Sequence, residues 1–357
     1  MTDAADEGAR TGSGNTTLVL TAILLLLVVA ALRLAASLLL PIAISLLLMF
    51  LLGPLVRWVH ARGIRQGLAA AIVVFGAVGL LGGGVAWLAE PAADWLRQAP
   101  ATVTKVESRL RKLIRPLSGL QRTAEQLQQA TTAPTGGQAP KVQMQSPGVL
   151  AQIGGTTANA AASTLAVVFL TYFLLGSGRL FRVKIQRMVS GAERRDHLTH
   201  ALGEIEGHVS RYLILNTAIG LAVGAATWAL LAAVGLPNPM LWGAAAFVLN
   251  YVPYVGALVT LAFILVAALV AFDDSGRLLI AGGGFVVINL LEGNLITPFV
   301  LGQKMPLNVV AIFVCLLFWG WVWGVPGAII AVPLTVMIQV ICAHIDRWRR
   351  VAILLDN

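Results

Sequence analysis

The sequence predicts an all-α membrane protein with about eight transmembrane helices, and three observations carry that prediction. Of its 357 residues, 58% are hydrophobic and only 11% are charged, with a mean hydropathy of +0.83. Soluble domains carry roughly 25% charged residues, and no water-soluble core could absorb such an apolar excess. The apolar residues come in blocks long enough to cross a hydrocarbon layer, which takes about 20 residues. The basic residues sit at the ends of those blocks, where they meet headgroups and fix orientation. The net charge of +9 is therefore a membrane signal. No nucleic-acid module accompanies it, so no nucleic-acid partner is expected.

The first block runs from Thr17 to Leu32 and the second from Leu34 to Leu52, with Arg33 between them as a turn residue reaching the interface. The start, MTDAADEGARTGSGN, is acidic and lacks the basic region and cleavage site of a signal peptide. The third block is Gly67–Leu88, the fourth Ala158–Leu175 and the fifth Tyr212–Val234. Three longer tracts follow: Pro239–Phe272, Leu278–Val300 and Leu307–Ala343. Arginines 57, 62 and 65, the seven basic residues between blocks four and five, and arginines 347, 349 and 350 mark one side as cytoplasmic. The chain then divides into a disordered cytoplasmic tail (1–15), spans one to three (16–88) and an extracytoplasmic amphipathic helix with linker (89–150). Span four (151–176), a cytoplasmic basic helical segment (177–211), a C-terminal transport core with broken helices (212–345) and a cytoplasmic tail (346–357) complete it.

Pro239–Phe272 and Leu307–Ala343 are each too long for one span and too short for two. They break at NYVPYVGALV (Asn250–Val259) and WGWVWGVPGAII (Trp319–Ile330). Proline removes a backbone donor and clashes with the preceding turn. Two readings fit: a half-helix that enters and leaves on one face before a full span, or a kinked continuous helix. Interrupted backbone at membrane depth survives only inside protein or beside water, so Asn250, Tyr251, Pro253 and Gly256 in the first break are pathway candidates. Trp319, Gly324, Pro326 and Gly327 are their counterparts in the second. Gly256 and Gly327 stand 71 residues apart in GALV and GAII, a faint parallel repeat.

Between Val103 and Leu127 apolar residues recur at alternating steps of three and four, fitting a short coiled-coil seam or an interfacial amphipathic helix. Thr131–Gly148 reads as a linker. His197, His200 and His208 lie in the basic segment as a solvated helix face. Cys315 and Cys342 form no paired motif, and no resident metal or cofactor is expected.

Glu292 is the one acidic residue inside an apolar tract, FVVINLLEGNLITPFVLG. Such a carboxyl costs about 3 kcal/mol near a helix centre, so something must compensate it. Asn289, Asn294 and Thr297 are within a helical turn or so, and Pro298 cannot donate to the carbonyl of Asn294. Carboxylate, amide and carbonyl oxygens form a hard-oxygen set suited to a transient sodium ion or a proton. The alternative is a cap or an interhelical hydrogen bond. Protease, hydrolase and P-loop signatures are absent, so no enzyme is expected, and any transport must be gradient-driven or downhill.

NYVPYVGALV, LEGNLITPFVLGQKMPLNVV (Leu291–Val310), WGWVWGVPGAIIAVPL (Trp319–Leu334) and the early LLLPIAISLLLMFLLGPLVRWVHARGI (Leu38–Ile64) together resemble the autoinducer-2 exporter family, also called PerM-type permeases. The resemblance implies a multi-pass transporter of the bacterial inner membrane, assembled as a homo-oligomer such as a pentamer. It implies either export of the furanone signal autoinducer-2 or sodium(lithium)/proton antiport, the short tail favouring export. The family's glutamate-asparagine-proline motif falls on Glu292, Asn294 and Pro298, its proline-glycine turn on Pro253 and Gly256, and Asn308 lies in the same matched stretch. The implied partners are a small polar solute or a monovalent cation, and membrane lipid. Three functions compete: a proton-coupled exporter, a cation/proton antiporter, and a scaffold that moves nothing.

Overall fold

The computed structural model describes residues 3–114, 161–178, 192–301 and 308–343. Among them the chain is helical, without strands. Six helices are long and apolar enough to cross a membrane, and three shorter apolar ones accompany them. The expected all-α, multi-pass class is thus observed, with six long candidate spans where about eight were expected.

Helix α1 (Asp3–Leu34) and α2 (Ala36–His60) are joined by Ala35 alone. The sequence suggests a hairpin at Arg33, but Ala35 has φ −88° and ψ 15°, and hydrogen bonds run from Ala35 N–H to Ala31 and from Leu39 N–H to Ala35. The chain bends there without a loop, because no residue around Arg33 can support a reversal. The bend is held from outside: the indole N–H of Trp323 donates to the carbonyl of Leu32 at 3.0 Å, and Arg33 lies 4.7 Å from the Trp321 ring centroid.

Helix α3 (Gln66–Ile114) is 49 residues long. At 1.5 Å per residue it reaches about 70 Å, far beyond the hydrocarbon layer, so the third span and the first part of the expected amphipathic helix are one rod. The remainder of that segment, from 115, lies outside the described residues. So do the linker, the basic stretch 179–191 and the C-terminal tail. Helix α4 spans Ala161–Gly178, and α5 (Ala192–Val234) fuses the end of the basic segment with the fifth span.

The first late tract splits as expected. Helix α6 (Pro239–Leu249) and α7 (Val255–Ala271) have 11 and 17 residues, each short of the roughly 20 a full span requires. They are the two limbs of the broken tract, a shorter and a longer one. Helix α8 (Ser275–Leu291) is started by Asp274, whose carboxylate accepts from the N–H of Gly276 at 2.9 Å. It passes into a π turn at Glu292–Ile296 and then α9 (Thr297–Leu301). Helix α10 (Val309–Ala343) contains a non-helical residue, Gly324, with φ 68° and ψ −150°.

Burial of apolar stripes sets the arrangement. Leu231 of α5, Trp242 and Ala246 of α6, Ile264 and Ala268 of α7, and Ala281 and Phe285 of α8 close one core. Ala43 and Leu47 of α2, Val209 and Leu213 of α5, and Trp319, Ala331 and Leu334 of α10 close a second. A third joins Val56 of α2, Ala70 and Val74 of α3, and Leu175 of α4. Helix α5 belongs to the first two, and therefore stands where the halves meet.

Candidate functional site

Both breaks are closed by a glycine. A Cβ on Gly256 would lie 1.8 Å from the carbonyl oxygen of Leu249, and one on Gly327 would lie 2.1 Å from that of Trp319. In each case the limb after the break folds back onto the limb before it, and only a residue without a side chain permits that approach. The matched glycines of the two tracts thus occupy equivalent places. The first turn passes through Tyr254 at φ 61°, an uncommon value for a non-glycine residue. Its ring stacks on Phe313 of α10, with centroids 5.4 Å apart and planes at 13°, so the first break rests against the helix that carries the second.

Tyr251 is fixed by its phenol, which shares a 2.7 Å hydrogen bond with Thr217 of α5. The Thr217 hydroxyl also lies 2.6 Å from the carbonyl of Leu213. Asn250 packs over Gly220 of α5, its amide nitrogen 3.3 Å from where a Cβ would stand. Pro253 is half-buried within the turn and Pro326 exposed beside Gly324. Trp319 is buried and pairs with Trp323, centroids 4.7 Å apart. Asn308 has a local task, its side-chain oxygen accepting from the N–H of Val310 at 2.9 Å to start α10.

Glu292 lies at the first residue of the π turn and is half-buried. The wider π register shows in the N–H of Thr297, which bonds the carbonyl of Glu292 five residues back. The hydroxyl of Thr297, itself buried, donates to the Glu292 carboxylate at 2.5 Å. Among the described residues no arginine or lysine pairs with this carboxylate. Asn289 and Asn294 donate to the carbonyls of Phe285 and Leu290, each at 2.9 Å. Those bonds use amide N–H groups and leave both amide oxygens as acceptors. Pro298 is half-buried just past the turn. Of the residues singled out around Glu292, Asn294 is inside the π turn, Asn289 lies just before it and Thr297 and Pro298 just after it, whereas Asn308 is apart.

Helix α5 relates this turn to the first break. A Cβ on Gly284 of α8 would meet the Leu230 side chain at 2.7 Å, and α8 starts near the end of α5, where Phe272 and Leu236 share a core. Descending eight residues, about 12 Å, brings α8 to Glu292 and α5 to about Ala222, close to the Gly220 on which Asn250 packs. The embedded carboxylate and the broken backbone lie at one depth along α5. Thr217 and Gly220 were not singled out from the sequence. A threonine and a glycine inside an apolar span are weak signals, and their partners Tyr251 and Asn250 are 30 or more residues away.

This architecture, a bundle of apolar helices with two tracts that fold back on themselves and a carboxylate that no described arginine or lysine pairs with, is that of a multi-pass membrane protein of the transporter class. The chain belongs to the AI-2E family of transporters, whose model matches residues 20–347. It is similar to the AI-2 transport protein TqsA of Escherichia coli (strain K12), 27% identical over 340 residues, which are 94% of each chain. YhhT of the same organism is 26% identical over 93% of this chain and 91% of its own length. YrrI of Bacillus subtilis (strain 168) is 24% identical over 87% of both. These last two are named only provisionally as transport proteins.

Proposed function

We propose that the chain is a secondary transporter of the bacterial inner membrane, not an enzyme, that exports a small polar solute such as autoinducer-2. Glu292 takes up and releases the coupling proton. The observation that carries this reading is the Glu292 carboxylate at a π turn, held by the Thr297 hydroxyl and, among the described residues, by no arginine or lysine. A carboxyl locked to an arginine has its oxygens occupied, whereas one held by a single neutral hydroxyl keeps acceptor capacity for a proton, a cation or a solute. The TqsA relative, whose name assigns it AI-2 transport, supports the solute class. Assembly as a homo-oligomer belongs to the same reading and is supported by the surface around the turn. Phe299 is 91% exposed and Asn294 is exposed among apolar neighbours, and an amide facing hydrocarbon is costly.

In everted vesicles an imposed pH gradient should drive accumulation of labelled autoinducer-2. Glu292→Gln, which keeps shape and removes charge, should lower that accumulation about tenfold or more. Unchanged pH-driven accumulation in the variant rejects the role. Sodium/proton antiport is the second reading, favoured by the pairing of a carboxylate with a hydroxyl oxygen, a hard donor set. Sodium-induced recovery of acridine-orange fluorescence, absent in Glu292→Gln, would select it over export.

A further inference from the structure

The limb of α10 that follows Gly324 is the most enclosed stretch of the candidate spans, and Ala331 to Met337 are buried without a gap. Yet it carries polar side chains. Thr335, Gln339 and Cys342 are 2, 9 and 6% exposed, and their spacing of four and three places them on one face of the helix. The Thr335 hydroxyl is satisfied by its own helix, donating to the carbonyl of Ala331 at 2.7 Å. Gln339 is not: its side-chain oxygen is sealed from water and finds no donor among the described residues. A sealed amide oxygen without a partner costs free energy on the scale of a lost hydrogen bond. Methionine has the same length and would carry no such cost.

This strip leads toward the first break. One core gathers Met337 and Ile338 of α10 with Val209 and Leu213 of α5, so Gln339 stands about level with Val209. Gly220, on which Asn250 packs, is eleven residues further along α5, about 16 Å. Between these heights come Tyr212, against the cluster of Ile312, Val332 and Val336, and Thr217, whose hydroxyl holds the Tyr251 phenol. Polar groups therefore follow one another from the end of α10 that the basic residues assign to the cytoplasm up to the broken backbone. We propose that the cytoplasmic half of the transport route runs along this strip, with Gln339 as its polar lining residue, and that it is shut in the arrangement described. Opening brings water or solute to the amide and removes its penalty; closing returns the strip to apolar packing. The inference rests on the transport reading, and adds where the route runs between the cytoplasm and the first break.

The test reads water access and stability, neither of which requires transport. In the full chain carrying Cys315→Ser and Cys342→Ala, Gln339→Cys is treated in everted vesicles with a membrane-impermeant trimethylammonium methanethiosulfonate. It should react about tenfold or more faster than Met337→Cys, which stands two residues away in the apolar core. If Gln339→Cys does not insert as a folded protein, the chain with Cys315→Ser alone presents native Cys342 on the same strip, and that thiol should be modified from the same side. Gln339→Met should melt above the wild type in scanning fluorimetry and lower autoinducer-2 accumulation about threefold or more, whereas an amide with a merely structural role would lower the melting temperature. Equal rates for Gln339→Cys and Met337→Cys, an unreactive Cys342, or a Gln339→Met protein that melts below the wild type would overturn the proposal. A wild type that accumulates no autoinducer-2 rejects the transport reading instead, and the thiol rates still decide whether water reaches the strip.

Discussion

Gly256 and Gly327 hold the two turns closed for a steric reason, and Gly324 for a conformational one. The positions where a Cβ would stand on the first two overlap backbone carbonyls at 1.8 and 2.1 Å, and backbone cannot swing aside as a side-chain tip can. Gly324 has open space around it but a φ of 68° with ψ −150°, a region essentially restricted to glycine. Alanine at Gly256 should therefore cost about 3 kcal/mol, the upper end for overpacking, and alanine at Gly324 about 1–3 kcal/mol. Gly293, in the π turn with nothing within 4 Å of its Cβ position, should accept alanine with no loss. Scanning fluorimetry of the three purified variants reads this order directly, and a Gly256→Ala protein that melts with the wild type contradicts the closed turn. At this scale the sequence was partly legible. A lone carboxyl in FVVINLLEGNLITPFVLG and a glycine beside each proline break stand out from an apolar background. Thr297 was among the neighbours named as compensating Glu292, but that its hydroxyl rather than Asn289 or Asn294 makes the bond was not legible, because it depends on a π register that periodicity does not encode.

Helices α5 and α6 are joined by a pair of glycines facing each other. A Cβ on Gly224 would be 2.8 Å from the carbonyl of Gly243, and one on Gly243 would be 2.7 Å from the carbonyl of Gly224. Close backbone approach of this kind replaces the hydrophobic drive that helices lack in lipid. Either alanine should push the helices apart at a cost of about 1–3 kcal/mol. Once they are apart the second alanine meets less resistance, so the double variant should cost less than the two singles together. Strict additivity in denaturant titrations of the four proteins would mean that the two contacts do not share one seam. At the scale of elements, the sequence conveyed the spans and both breaks but misjudged several ends. Helix α3 continues past Leu88 because a helix has no reason to stop where the hydrocarbon does, and helix α5 begins at Ala192 for the same reason. The prolines at 91 and 100 do not end α3. Between α1 and α2 the sequence has a charge but no turn-forming residue, and the result is a bend at Ala35.

Across the whole molecule α5 acts as the shared post. It carries Thr217 against Tyr251 of the first break, Val209 and Leu213 against the limbs of α10 around the second, and Leu231 in the core with α7 and α8. Arg57 and Glu206, 149 positions apart in sequence, tie its outer end to α2, as does the Ser210 hydroxyl on the carbonyl of Phe50. Neither tie is visible in local pattern, although Arg57 was assigned to a basic cluster at the end of the second span. The first break meets the helix that carries the second where Tyr254 stacks on Phe313. A transporter that opens alternately to two sides does so by moving one part of the bundle against another around a fixed site, so this contact between the first break and α10 is where displacement should appear. With Cys315 and Cys342 replaced by serine and alanine, a Tyr254→Cys/Phe313→Cys protein treated with a short bifunctional thiol reagent should cross-link within one chain and lose solute flux. Reduction of the reagent's disulfides should restore it, while either single variant keeps flux under the same treatment. If the fully cross-linked protein transports as fast as the reduced one, the first break and the first limb of α10 do not separate during the cycle, and motion must be sought in α1 to α4 instead.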